Sequence, residues 1–277
     1  MVAAPVLWST AGVVTRHVQG GTPFEMVFWR SLFAFGCVAA LLLAGRRWFA
    51  LTRPVLVSGA MWAVMFTAFM LALAFTSTAN TLVVMSVSPL LTALLARAFL
   101  AEPVAPRIWL AVGAAAVGIA GMFASDFGVH GRRDYLGMAI AALVPVASAI
   151  NVVTLRAAAA SVDLRPAVML GAAISCLVAA PLATPFHATP RDIALLGLLG
   201  VFQLGLPCVL LVIASRRLLA PEIALLGLLE VLLGPLWAWL GAGERPSPGT
   251  LLGGAVVLGA LALNELAAFG VASHERK

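Results

Sequence analysis

Ten times along this chain a run of about 17–25 mostly apolar residues, long enough to cross the hydrocarbon core of a bilayer, ends in a short polar break, most of these breaks carrying Arg, Asp, Pro or Gly. The runs fall at roughly 2–18, 24–45, 53–75, 79–100, 106–124, 134–156, 165–184, 191–215, 220–241 and 248–270. Breaks such as Gly45-Arg46-Arg47, Glu102-Pro103 and Asp163-Leu164-Arg165-Pro166 leave no room for a separate soluble domain. The chain is 62% hydrophobic and 10% charged over 277 residues, against about 25% charged in soluble domains. No water-soluble fold covers that much apolar surface. The expected fold is therefore an all-helical membrane protein of ten spans, because each helix satisfies its own backbone in lipid.

The formal charge of +6 does not point to nucleic acid. Its 17 basic residues, all Arg except Lys277, sit at the ends of apolar runs and form no stripe with interleaved aromatics. With the N-terminus in the cytoplasm, eleven of them fall inside and five outside, Arg30 being left within span two. That bias predicts both termini in the cytoplasm. No basic n-region precedes the first run, so no cleavable signal is expected, although the start at Met1 so near the membrane fits a trimmed leader. Cys37, Cys176 and Cys208 each lie inside an apolar run and read as small buried hydrophobes. Small residues at Ala114/Gly118 and Gly249/Gly253 read as close contacts between spans, or else as the face of a homodimer.

The runs also repeat. Ser88 and Glu230, Glu102 and Glu244, and Pro106 and Pro248 each lie 142 residues apart, with leucines beside the first pair. Pro5-Val6 with Val13 and Arg16 returns as Pro145-Val146 with Val153 and Arg156, at an offset of 140. Two copies of a unit with an odd number of spans must lie inverted in the membrane, an arrangement typical of transporters. The shared Glu–Pro pair reads as scaffold. The copies part company at Ser88 against Glu230 and at Ala93 against Pro235.

The polar residues at mid-span are few. Glu230 lies about ten residues into span nine, where a carboxylate costs at least a few kcal/mol by insertion scales and usually faces a cavity or a partner. It reads as an acceptor for a substrate amine, as a proton-coupling site, or as a tie to a neighbouring span. Asn151 and Gln203 are mid-span amides that can bond a substrate or fasten helices. Arg30 either snorkels to the outer interface, pairs with a carbonyl, or takes a carboxylate. Trp8, Trp62, Phe66 and Trp237 are large and deep, and would suit an apolar cavity wall, with Ser9 and Thr10 adding hydroxyls beside Trp8. Pro89, Pro145, Pro207 and Pro235 lie within spans as kinks, either hinges or static bends. The four His are scattered, and no zinc spacing, phosphate loop, dinucleotide fingerprint or nucleophile motif occurs. No metal, cofactor or catalytic group is expected.

Leu229-Glu230 through Pro235, ending in Gly243-Glu244, resembles the drug/metabolite transporter superfamily in its ten-span EamA type. The degenerate first copy is Ser88-Pro89-Leu90-Leu91, ending at Ala101-Glu102. Phe28-Trp29-Arg30-Ser31-Leu32 and Leu7-Trp8-Ser9 are similar to family elements of spans two and one. Pro221-Glu222-Ile223-Ala224-Leu225-Leu226, with Val231 following Glu230 and Pro235 four residues later, resembles the YddG-type amino-acid exporter subgroup. The resemblance implies two inverted five-helix repeats, 1–125 and 134–270, with a cytoplasmic tail at 271–277. It implies a bacterial inner-membrane exporter of small metabolites, above all aromatic and other neutral amino acids. Alternating access would work around a cavity lined by spans one, three, four, six, eight and nine. Efflux of cationic or amphipathic drugs, which a membrane carboxylate also suits, is the alternative. A membrane sensor or assembly subunit is the reading outside transport. A packed interior would favour it, whereas a cavity touching Glu230 or Trp8 would favour transport.

Overall fold

The computed structural model describes residues 2–46, 50–100, 110, 113–114, 117–118, 131–158, 160–216, 220–249, 251–256, 258–260 and 262–263. Glu102, Pro106, most of the expected fifth span, the end of the tenth run and the 271–277 tail lie outside them. Among the described residues every regular element is helical.

The first run folds as α1 (Ala3–Trp8) and α2 (Ala11–Thr15), and the next two as α3 (Pro23–Ala44) and α4 (Arg53–Phe75). The fourth divides into α5 (Thr78–Met85) and α6 (Ser88–Leu100), and the sixth into α7 (Arg132–Ala141) and α8 (Leu143–Ala158). Then come α9 (Arg165–Ala183), α10 (Pro190–Leu198), a π-helical segment (Leu199–Gly205), α11 (Leu206–Ala214) and α12 (Ala220–Ala242). Among the described residues six stretches are long and apolar enough to cross a membrane: Pro23–Ala44, Arg53–Phe75, Thr78–Leu100, Arg132–Ala158, Arg165–Ala183 and Pro190–Ala214. Ala3–Thr15, Leu229–Ala242 and Leu251–Ala260 are apolar but shorter. Leu43, Phe99, Leu110, Leu177 and Leu240 stand exposed on the outside of the bundle, a surface suited to lipid tails. The chain is a multi-pass membrane protein.

Local chemistry sets where helices begin. Thr22 accepts from the Glu25 N–H at 3.2 Å just before Pro23, and Ser77 accepts from the Asn80 N–H at 3.0 Å. Thr189 and Asp192 form a reciprocal capping box ahead of Pro190. Four runs that read as continuous are interrupted, and the causes are visible. Pro89, Pro145 and Pro207 each stand in the first turn after a break, where a missing N–H matters least. Pro235 lies inside α12. Each of the four deprives the carbonyl four residues earlier, at Met85, Ala141, Gln203 and Val231, of its ordinary helical donor. Between α1 and α2 the break falls at two hydroxyls instead: Ser9 Oγ donates to Val6 O and Thr10 Oγ1 to Leu7 O, both at 2.7 Å. Such bonds compete with the helix.

Helix α9 packs on α3 and α4, while α8 packs on α4 and α6. The α4–α9 crossing depends on Gly171, where a Cβ would lie 2.9 Å from Gly59 O and 3.1 Å from Ala63 N. The π-helical segment crosses α3 just as closely at Gly200. These backbone approaches lie outside the pairs Ala114/Gly118 and Gly249/Gly253 that the sequence singles out.

One end of the bundle is laced between early and late parts of the chain by three carboxylates. Glu25, fully buried, accepts from His187 N at 3.0 Å and Ala188 N at 2.7 Å. Asp192, also buried, accepts from Gln19 N at 3.0 Å and Gly20 N at 3.1 Å. Glu244 accepts from Arg16 Nε at 2.7 Å and Thr78 Oγ1 at 2.9 Å, and from the Thr78 N–H. Arg16 also donates to Leu73 O at 2.9 Å and Thr76 O at 2.8 Å. A guanidinium with three acceptors in different directions cannot be replaced by a lysine. Glu244→Gln is expected to cost about 1.5–3 kcal/mol, the range for a hydrogen bond to a charged group, and Arg16→Lys should cost a similar amount. Thermal melting in detergent checks both; an unchanged midpoint in either variant would mean the tie contributes nothing.

Candidate functional site

Inside the bundle lies a cavity of about 140 Å³. It collects residues from seven separate runs of sequence. Trp8 comes from the end of α1, Arg30 from α3, Trp62 and Phe66 from α4, Ser88 and Pro89 from α6, Gln203 from the π-helical segment and Glu230 from α12. Val144, Ser148 and Val152 add a wall from α8. Most of the lining is apolar, so the few polar groups decide what the cavity can hold.

Arg30 is the least expected of them. It is 0% exposed, about two turns into α3. Its Nη2 donates to Phe66 O at 2.6 Å, its Nη1 to Gln203 Oε1 at 3.2 Å, and its guanidinium lies 5.7 Å from the Phe69 ring centroid. Of the roles open to it in the sequence, the carbonyl pairing is present, and it does not snorkel to an interface. Gln203 reaches Arg30 because Gly200, three residues before it, lets the π-helical segment close on α3. The amide completes its own contacts through Nε2 to Trp8 O at 3.5 Å. Span two thus joins the six spans expected to line the cavity.

Trp62 and Phe66, one turn apart on α4, stack with ring centroids 5.3 Å apart. Glu230 lies on the lining, half-buried, with no hydrogen bond or ion pair among the described residues. Its counterpart in the repeat, Ser88, lies on the same lining, so the position where the two copies diverge meets one space from both halves.

The remaining residues singled out in the sequence stand off the cavity. Asn151 is buried and accepts from Ser58 Oγ at 2.7 Å, fastening α8 to α4. Ser9 accepts from Trp237 Nε1 at 3.1 Å, tying α1 to α12, and Trp237 is partly exposed. Pro145 and Pro207 are buried and off the lining, Pro235 is half-buried and also off it, and Pro89 lines it. Met65, Phe69, Met85, Thr92 and Ser148 line the cavity without any signal in the sequence, since an apolar stretch gives no hint of which face turns inward.

A family model described as the EamA-like transporter family matches residues 1–124 and 135–265. A solved crystal structure is similar over 96% of this chain and 96% of its own, with 21% sequence identity and a TM-score of 0.72. At that identity the likeness shows the fold alone. A search of the curated proteins finds no match.

Proposed function

The chain belongs to the EamA-like transporter family, and from that premise we propose that it exports small metabolites, above all neutral and aromatic amino acids, by alternating access. The proposed setting is a bacterial inner membrane, with ten spans in two inverted five-helix repeats, 1–125 and 134–270, and both termini in the cytoplasm. The observation that carries this reading is the cavity walled by Trp8, Trp62 and Phe66 with Arg30 and Glu230 on the same lining. A water needs about 10–15 Å³ on this measure, so the space is on the order of ten waters. That suits a single amino acid and is small for a nucleotide sugar. Glu230 favours efflux of cationic drugs as the second reading, and Arg30, a fixed positive charge on the same wall, speaks against it. A sensor or assembly subunit would have no need of an apolar cavity that holds both charges.

Uptake into liposomes loaded with the purified protein distinguishes these readings. A panel of amino acids, quaternary amines and sugar phosphates is followed with and without a pH gradient. Neutral and aromatic amino acids are expected to move. Movement of quaternary amines alone would install the drug-efflux reading, and no movement of any amino acid would end the proposal.

A further inference from the structure

Two of the residues that line the cavity carry a donor with nothing to bond. Arg30 Nε and Trp62 Nε1 are both buried and both lack a hydrogen-bond partner, and both residues line the cavity. A buried donor without an acceptor is disfavoured, and native structures keep few of them. Both atoms can only donate, so whatever completes them must bring acceptors. The Arg30 head is also held in place: Phe66 O and Gln203 Oε1 take one N–H from each terminal nitrogen. No carboxylate lies within ion-pairing distance of it among the described residues. Trp62 sits one turn from Phe66, whose carbonyl fixes Arg30, so both orphan donors are anchored through the same stretch of α4. A guanidinium edge with an N–H left to donate is the group that receives a carboxylate.

Glu230 brings the complementary half. It lines the same cavity and has neither an ion pair nor a hydrogen bond among the described residues. Arg30 and Glu230 together sum to zero, but they do not pair with each other. A ligand with one negative and one positive group neutralises both. A simple anion leaves Glu230 uncompensated, and a simple cation leaves Arg30 uncompensated. Met65, Phe69, Leu82, Val144 and Val152 supply apolar wall for a side chain.

We propose that Arg30 Nε and Trp62 Nε1 form a carboxylate subsite, that Glu230 receives the ammonium group, and that the ligand is a zwitterionic α-amino acid with an apolar or aromatic side chain. This rests on the exporter reading above and adds the orientation of the substrate and the atoms that select it. Binding is followed by ligand-induced thermal stabilisation of the purified protein, and transport by liposome uptake. The probes are L-phenylalanine, L-phenylalaninamide, phenylpropanoate and phenethylamine. L-Phenylalanine is expected to bind at least tenfold more tightly than each of the others, the smallest factor expected for a lost hydrogen bond to a charged group. Trp62→Phe, which removes the N–H and keeps an aromatic ring, should shrink the preference for L-phenylalanine over its amide several-fold. Arg30→Gln should abolish that preference, and Glu230→Gln should abolish the preference over phenylpropanoate. If phenylalanine is carried but its amide binds equally well, or if Trp62→Phe keeps the full acid preference, the subsite is wrong while the exporter reading stands. If phenylalanine and the other amino acids neither bind nor move, the exporter reading has failed and the subsite falls with it. Trp62→Phe keeps the test decisive even if Arg30→Gln does not fold.

Discussion

Glu230→Gln is expected to cut amino-acid uptake into liposomes at least tenfold while leaving the protein as stable as before, or more stable. Two effects separate here because they act on different states. In the empty protein the carboxylate lies on an apolar lining with no hydrogen bond or ion pair among the described residues, and by insertion scales a charge at such depth costs about 2.5–3.5 kcal/mol. Glutamine keeps the shape and removes that cost. With substrate present, the lost contact is a hydrogen bond between charged groups, worth about 1.5–3 kcal/mol, which corresponds to roughly 10–100-fold in affinity. A tie between spans predicts the reverse pattern, a lower melting midpoint with little change in flux. Measuring both quantities on one preparation decides between them, and unchanged flux with an unchanged pH dependence would make Glu230 a structural residue.

Gly200→Val is expected to cost at least about 3 kcal/mol, the upper end of ordinary overpacking, and to prevent recovery of folded protein. A Cβ at Gly200 would lie 2.5 Å from Arg30 O, with Ala34 N at 3.0 Å and the Phe33 Cβ also in contact. Two of these three neighbours are backbone of α3, and a helix backbone cannot turn aside as a side chain can. Relief means moving the π-helical segment off α3, which takes Gln203 away from Arg30. Two other glycines calibrate the result. At Gly197 the neighbours are the Phe33 ring atoms at 3.3 Å, which can shift, so Gly197→Ala should cost less than about 1 kcal/mol. Nothing lies within 4 Å of a Cβ on Gly36, so Gly36→Ala should stabilise α3, by up to about 1 kcal/mol in helix propensity. Melting midpoints of the three variants should rank Gly36→Ala above Gly197→Ala, with Gly200→Val far below. A Gly200→Val protein that melts like the parent would show that the crossing is looser than its geometry.

What the sequence discloses follows from what the bilayer demands. Length and hydropathy announce membrane helices, because a chain in lipid must satisfy its backbone within each span. The repeat marks Glu244 as scaffold, and its bonds to Arg16 and Thr78 are of that kind. Arg30 shows where such reading ends. Its depth implies protein partners, yet those partners lie 36 and 173 residues away, at Phe66 and Gln203. In water, alternating polar and apolar residues reveal which side of a helix faces inward. In α4 and α8 both sides are largely apolar, so the sequence does not say whether Trp62, Phe66 or Asn151 meets the cavity. The π-helical segment was equally hidden, since Leu199–Gly205 reads as ordinary apolar helix until α3 is found pressed against Gly200.

The lacing of one end of the bundle has a consequence for how the protein is made. Glu25 waits for His187 N and Asp192 must meet Gln19 N, partners separated by 162 and 173 residues of chain. At about 5–20 residues per second on the ribosome, those partners arrive on the order of ten to thirty seconds apart. For that interval the first turn of α3 carries a carboxylate with only water or lipid headgroups to meet it. The first half therefore enters the membrane with that end unsealed, and synthesis of the second half is the step that seals it.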